Sequence, residues 1–179
     1  MTSFMSLLFL CAHLLSALTY LFHPNCQLEV ESPGQTLSLA SRRSADARRA
    51  VQAFQRIAGS PYSVLYLKDG PTGATCVVWV QRSSSRFTRY IYRGPRVDST
   101  HVVRTRLSRP LAQVPRACYS TLCESISTAP LYRVLVVKQG KKVKSGLSFT
   151  DYVAQDFTAA DQGRLAPMIA LMRMLDEEL

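Results

Sequence analysis

Residues 82–144 hold fourteen bases against two acids, Asp98 and Glu124, a net +12 within a chain whose formal charge is +10. Seventeen of the 22 cationic residues are Arg, whose planar guanidinium matches sulfate, phosphate or carboxylate with two parallel hydrogen bonds. The candidate polyanion-binding residues are Arg89, Arg93, Arg104, Arg106, Lys138, Lys141, Lys142 and Lys144. Gly140-Lys141-Lys142-Val143-Lys144-Ser145 carries the basic-basic-x-basic pattern of sulfated-glycan sites. Strand alternation is expected to line several of these bases along one sheet face. The alternative is a solvated face with no ligand, or one paired with the chain's own acidic end. Residues 147–179 hold six acids and two bases. Tyr90 and Tyr92 interleave with Arg89 and Arg93 as in nucleic-acid platforms, but the N-terminal apolar run argues against that partner.

Catalytic chemistry is not expected. There is no Gly-rich phosphate loop, His-Glu-x-x-His, nucleophile elbow or paired-carboxylate constellation. The histidines are His13, His23 and His101, and no Cys-x-x-Cys appears, so no metal or cofactor is expected.

Two features place the chain outside the cytoplasm. Phe4 to Phe22 contains no charged residue, and residues 1–22 read as a signal peptide or an uncleaved single-span anchor. Beyond this run lie Cys26, Cys76, Cys118 and Cys123, an even set that fits a disulfide framework in an oxidising compartment. The favoured pairing is Cys118–Cys123 with Cys26–Cys76; four reduced core cysteines are the alternative.

The elements that must position these residues follow from periodicity. Residues 23–43 read as a linker or N-terminal arm. A helix is expected over 44–58, where Ala47, Ala50, Val51, Phe54 and Ile57 share one face, Ser44 caps and Gly59 stops. Strands are expected at 62–68, 75–82, 86–93, 101–107, 131–139 and 141–145. The Pro-containing stretch 108–130 reads as a long loop. Thr158 and Asp161 resemble a cap, and Pro167 opens an apolar helix to Leu175, which docks on the sheet or on a protein partner. Trp79 is expected in the core.

The fold class that follows is α+β, with one N-terminal helix packed on a four- or five-stranded antiparallel sheet over 44–146, an acidic C-terminal segment over 147–179, and an apolar helix within it. The local sequence Ala47-Arg48-Arg49-Ala50-Val51 through Phe54, then Gly59-Ser60-Pro61-Tyr62 into Val64-Leu65-Tyr66, resembles the helix-to-first-strand segment of the cystatin-like latexin and retinoic-acid-receptor-responder proteins. The resemblance implies a secreted inhibitor or binding module. The Gln-x-Val-x-Gly and Pro-Trp hairpins that block papain-like proteases are absent, and Gln81-Arg82-Ser83-Ser84-Ser85 stands at the comparable hairpin, so no inhibitory residues are transferred. Three functions follow: a secreted or membrane-anchored extracytoplasmic binding module that recruits an anionic partner, a single-span membrane docking protein, and a cystatin-type protease inhibitor.

Overall fold

The computed structural model describes residues 26–71, 73–103, 107–123, 131–150 and 156–179. Within them the strands are β1 (Cys26–Glu31), β2 (Tyr62–Gly70), β3 (Gly73–Gln81), β4 (Arg86–Arg93), β5 (Arg96–Val103), β6 (Cys118–Cys123), β7 (Tyr132–Gln139) and β8 (Lys142–Thr150). The helices are α1 (Pro33–Ser41), α2 (Ala45–Arg56), α3 (Ser108–Gln113) and α4 (Ala159–Asp176). All eight strands join one sheet in the order β1-β6-β8-β7-β2-β3-β4-β5, antiparallel except where β6 runs parallel to β8.

The central strands are apolar on both faces. In β2, Leu65 and Leu67 pack with one cluster and Val64 and Tyr66 with another; in β3, Cys76, Val78 and Val80 face one way, and Val77 and Trp79 the other. A strand patterned in this way must be covered twice. On the first face α1 and α2 supply Leu37, Ala40, Ala47, Ala50, Val51 and Phe54. On the second, α4 lays down Leu165, Met168, Ile169, Leu171, Met172 and Leu175, joined by Leu111 of α3. The result is three layers: helices, sheet, helices.

This overturns the expected architecture. The sheet has eight strands instead of four or five, and helices cover both faces instead of one N-terminal helix covering a single face. The periodicity of Val64-Leu65-Tyr66-Leu67 reports that both faces are buried, but the length of the sheet depends on segments whose own pattern is weak. Residues 26–41, expected as part of an arm, form β1 and α1. Ser32 and Gln35 close a reciprocal capping box there, with the Ser32 amide donating to Gln35 Oε1 at 2.8 Å, and Pro33 starts the helix. Residues 108–123, expected as loop, form α3 and β6. Of the expected strand 101–107, residues 101–103 belong to β5 and Leu107 caps α3, while Arg104 and Arg106 lie outside the described residues.

Helix α2 follows its sequence closely, with Ser44 Oγ accepting from the Ala47 amide at 3.0 Å. Helix α4 begins at Ala159 and not at Pro167; Thr158 caps it, and Pro167 lies inside. Tertiary contacts hold its C-terminal end. Asp176 accepts from Tyr66 OH at 2.7 Å and pairs with Arg133 at 2.8 Å and Lys68 at 3.4 Å. The acidic C-terminus is therefore matched, in part, by bases of the chain's own sheet. The apolar face of α4, offered above to a protein partner, is covered by that sheet. Residues 1–22, His23 and residues 24–25 lie outside the described residues, and no described helix is long and apolar enough to cross a membrane.

The cysteines also differ from expectation. Cys26 is disulfide-bonded, and the residue facing it in the β1–β6 register is Cys123. Cys76 and Cys118 carry free, buried thiols, so neither Cys118–Cys123 nor Cys26–Cys76 forms. Geometry forbids both. Cys118 and Cys123 are the two ends of β6, and five extended residues place their Cα atoms roughly 16 Å apart, far beyond the ~7 Å a disulfide spans. Cys26 and Cys76 belong to core clusters on opposite faces of the sheet.

Candidate anion-binding surface

Three of the expected polyanion-binding cations are committed to the ends of helices. The last carbonyls of an α-helix lack intrahelical donors and carry the negative end of its dipole, so a cation at that end is favourable. Lys138, only 4% exposed, donates from Nζ to Phe54 O at 3.0 Å, Gln55 O at 3.3 Å and Ile57 O at 2.7 Å, closing the C-terminus of α2. Lys144 donates to Leu111 O at 3.0 Å and Ala112 O at 2.9 Å near the end of α3. Arg89 stacks over Trp79 at 5.6 Å and donates to Glu178 O just beyond α4.

These residues do not share a face. Arg89 lies with Trp79 on the α4 side, whereas Lys138 lies over Phe54 on the α2 side. Lys144 is the extra residue of a β-bulge: Val137 faces Ser145 and Lys138 faces Val143, leaving Lys144 between them and free to reach α3. Arg93 stands at the β4–β5 turn, opposite Arg96.

The register assigns the exposed cations to an end of the sheet instead. Tyr62 faces Gln139, Gln139 faces Lys142, Ser63 faces Val80, and Gln81 faces Phe87. The start of β2, the end of β3, the start of β4, the end of β7 and the start of β8 therefore lie together. The Lys138 bonds bring the C-terminus of α2 to the same end, and Gln81, whose Nε2 donates to Ser108 Oγ at 3.4 Å, brings the start of α3. Exposed Arg56, Arg82, Arg86, Arg109, Arg116, Lys141 and Lys142 gather here from four separate stretches of chain. Lys141 and Lys142 are presented by the tight β7–β8 turn, where Gly140 at φ 59 takes the left-handed conformation that such a turn requires.

No described ion pair engages any of these seven. The described acids Asp46, Asp69 and Asp176 sit toward the other end: Asp46 accepts from the amide of Gly94 in the β4–β5 turn at 2.8 Å and pairs with Arg49, Asp69 is next to the last residue of β2, and Asp176 pairs with Lys68 and Arg133. The repulsion among these seven cations is thus relieved by no described ion pair. Burial first, and the Arg116 charge second, hold the Lys144 ammonium below the usual 10.5.

Two clefts open at this end. One, of about 280 Å³, lies between Arg116, Gln139, Lys142, Val143 and Lys144. The other, of about 380 Å³, lies between the C-terminus of α2 and strands β3 and β4. Arg82 and Tyr90 line it, bonded to one another at 2.9 Å; Arg82 is not among the candidate polyanion-binding residues of the sequence, and Tyr90 stands out there only for its alternation with Arg89 and Arg93. Among the described residues no group of three or more His, Cys, Asp or Glu could hold a metal ion. No family model, curated protein or solved structure matches the chain.

Proposed function

We propose that this chain is a non-enzymatic, extracytoplasmic binding module that docks an anionic partner, a sulfated glycan in particular, through the cationic end of its sheet. The supporting observation is the gathering of Arg56, Arg82, Arg86, Arg109, Arg116, Lys141 and Lys142 around two clefts at one end, with no described acid paired to them. Uncompensated charges in a concave surface focus the field and raise the local concentration of anions. The apolar run from Phe4 to Phe22 supports the extracytoplasmic setting, whether it is removed or retained as an anchor.

The test is heparin affinity of the full-length protein with charge-reversal variants at the two ends. Lys142→Glu combined with Arg116→Glu is expected to elute at markedly lower salt than wild type, since contacts between exposed charges are screened over about 8–10 Å at 0.1–0.15 M salt. Arg93→Glu, at the β4–β5 turn, is expected to change elution far less. Equal losses from both ends, or elution of the wild type with unrelated neutral proteins, would remove the proposal.

A further inference from the structure

Beyond polyanion docking, we infer that the cleft between the C-terminus of α2 and strands β3–β4 binds a small amphipathic anion, an apolar or aromatic body bearing one carboxylate or sulfonate. The floor is apolar: Val78 and Val80 from β3 lie beneath, and Tyr92 from β4 closes the side. The rim is cationic, with Arg56 from the last turn of α2 and Arg82 from the β3–β4 hairpin. No acidic residue lines it.

Arg82 is held in place for this work. Its Nε donates to Thr88 Oγ1 at 3.1 Å and its Nη2 to Tyr90 OH at 2.9 Å, and Thr88 Oγ1 in turn lies 3.1 Å from His101 Nδ1. Two bonds to the sheet fix the guanidinium plane, while the Nη1 edge has no described acceptor. The Tyr90 hydroxyl accepts from Arg82 and has no described acceptor for its own hydrogen. An anionic head at the rim would therefore meet a guanidinium edge and a phenolic hydrogen already oriented, so little side-chain freedom is lost on binding.

Size and charge choose the occupant. Pockets for drug-sized ligands span about 300–1,000 Å³, and 380 Å³ belongs at the small end of that range. A peptide or glycan chain would overrun such a cleft, and an inorganic anion would leave the Val78–Val80 floor uncovered. An apolar body covers the floor, and one anionic head answers Arg82 and Arg56.

The test uses 4-benzoylbenzoate, a photoreactive aromatic carboxylate, on the full-length protein, with cross-linked peptides mapped by mass spectrometry. Adducts are expected on 53–58 and 78–92, with decanoate competing and decanol not. Arg82→Gln, at an exposed position, is expected to reduce labelling at least fivefold. Ala53→Phe, which fills the cleft from α2, is expected to abolish it, whereas Lys142→Glu combined with Arg116→Glu, at the other cleft, is expected to leave labelling unchanged, which separates this site from polyanion docking. Circular dichroism confirms that each variant is folded. Labelling confined to residues 1–25, labelling indifferent to Arg82→Gln, or equal competition by decanol would each overturn the inference.

Discussion

Lys138 provides the sharpest test of the helix-end assignment. Lys138→Met keeps the aliphatic stem against Phe54 and removes only the ammonium, so cavity formation contributes little. Phe54 O retains the Ile57 amide at 3.3 Å, but Gln55 O and Ile57 O lose the only described donor each has. A carbonyl left unpaired costs about 1–3 kcal/mol when fully buried; these two are half-buried, so roughly 1 kcal/mol each is appropriate. Loss of the cation from the helix terminus adds about 0.5–1 kcal/mol, and relief of the ammonium's desolvation subtracts a similar amount. The net is about 2 kcal/mol. For a chain of this size that is a fall in Tm of roughly 4–8 °C, measurable by circular dichroism. The pH dependence has a definite sign. Burial holds the folded-state Lys138 ammonium below 10.5, so between the folded value and 10.5 the unfolded chain binds more protons and the residue's contribution to stability grows as pH rises. The Tm gap between wild type and Lys138→Met is expected to widen toward pH 10.5. A variant within 1 °C of wild type would refute the assignment, and a gap that narrows on the alkaline side would refute the dominance of burial over the carbonyl contacts in setting the ammonium's pKa.

Two further outcomes follow from packing and burial. Gly146→Ala would place a Cβ 2.9 Å from Cys118 Sγ and 3.3 Å from Thr36 Cγ2, so a loss of about 1–3 kcal/mol is expected from urea unfolding midpoints, partly recovered by Cys118→Ala. The Cys76 thiol, pushed up to about 12 by burial, is expected to resist iodoacetamide in the folded protein and to react on unfolding, as read from its tryptic peptide by mass spectrometry. Ready alkylation of native Cys76 would show that the α2 layer opens more easily than its packing implies.

The legibility of the binding surface differed from that of the fold. Lys141 and Lys142 stand out in the sequence through the basic-basic-x-basic pattern after Gly140, and the structure exposes both. Lys138 looked equivalent, yet it is buried, because its identity as a helix cap depends on α2 lying across β7, a contact between residues more than eighty positions apart. Arg82 went unrecognised because its partners, Thr88 and Tyr90, become neighbours only through the β3–β4 register. The cysteine pairing failed for a similar reason, since parity counts thiols but the sheet decides which of them meet.

By itself the sequence determined the local elements with strong periodicity or capping: α2 behind Ser44, and the central strands β2, β3 and β4 in succession. It also determined the charge asymmetry between the basic middle and the acidic end. Only the tertiary structure decided that β1 and β6 extend the sheet to eight strands, that helices cover both faces, and that the charges form a cationic end and not a cationic face. Periodicity describes how each residue meets its own strand or helix. The direction in which strands align, and hence which strand ends gather their charges, is set by pairing between distant segments, and no local pattern carries that information.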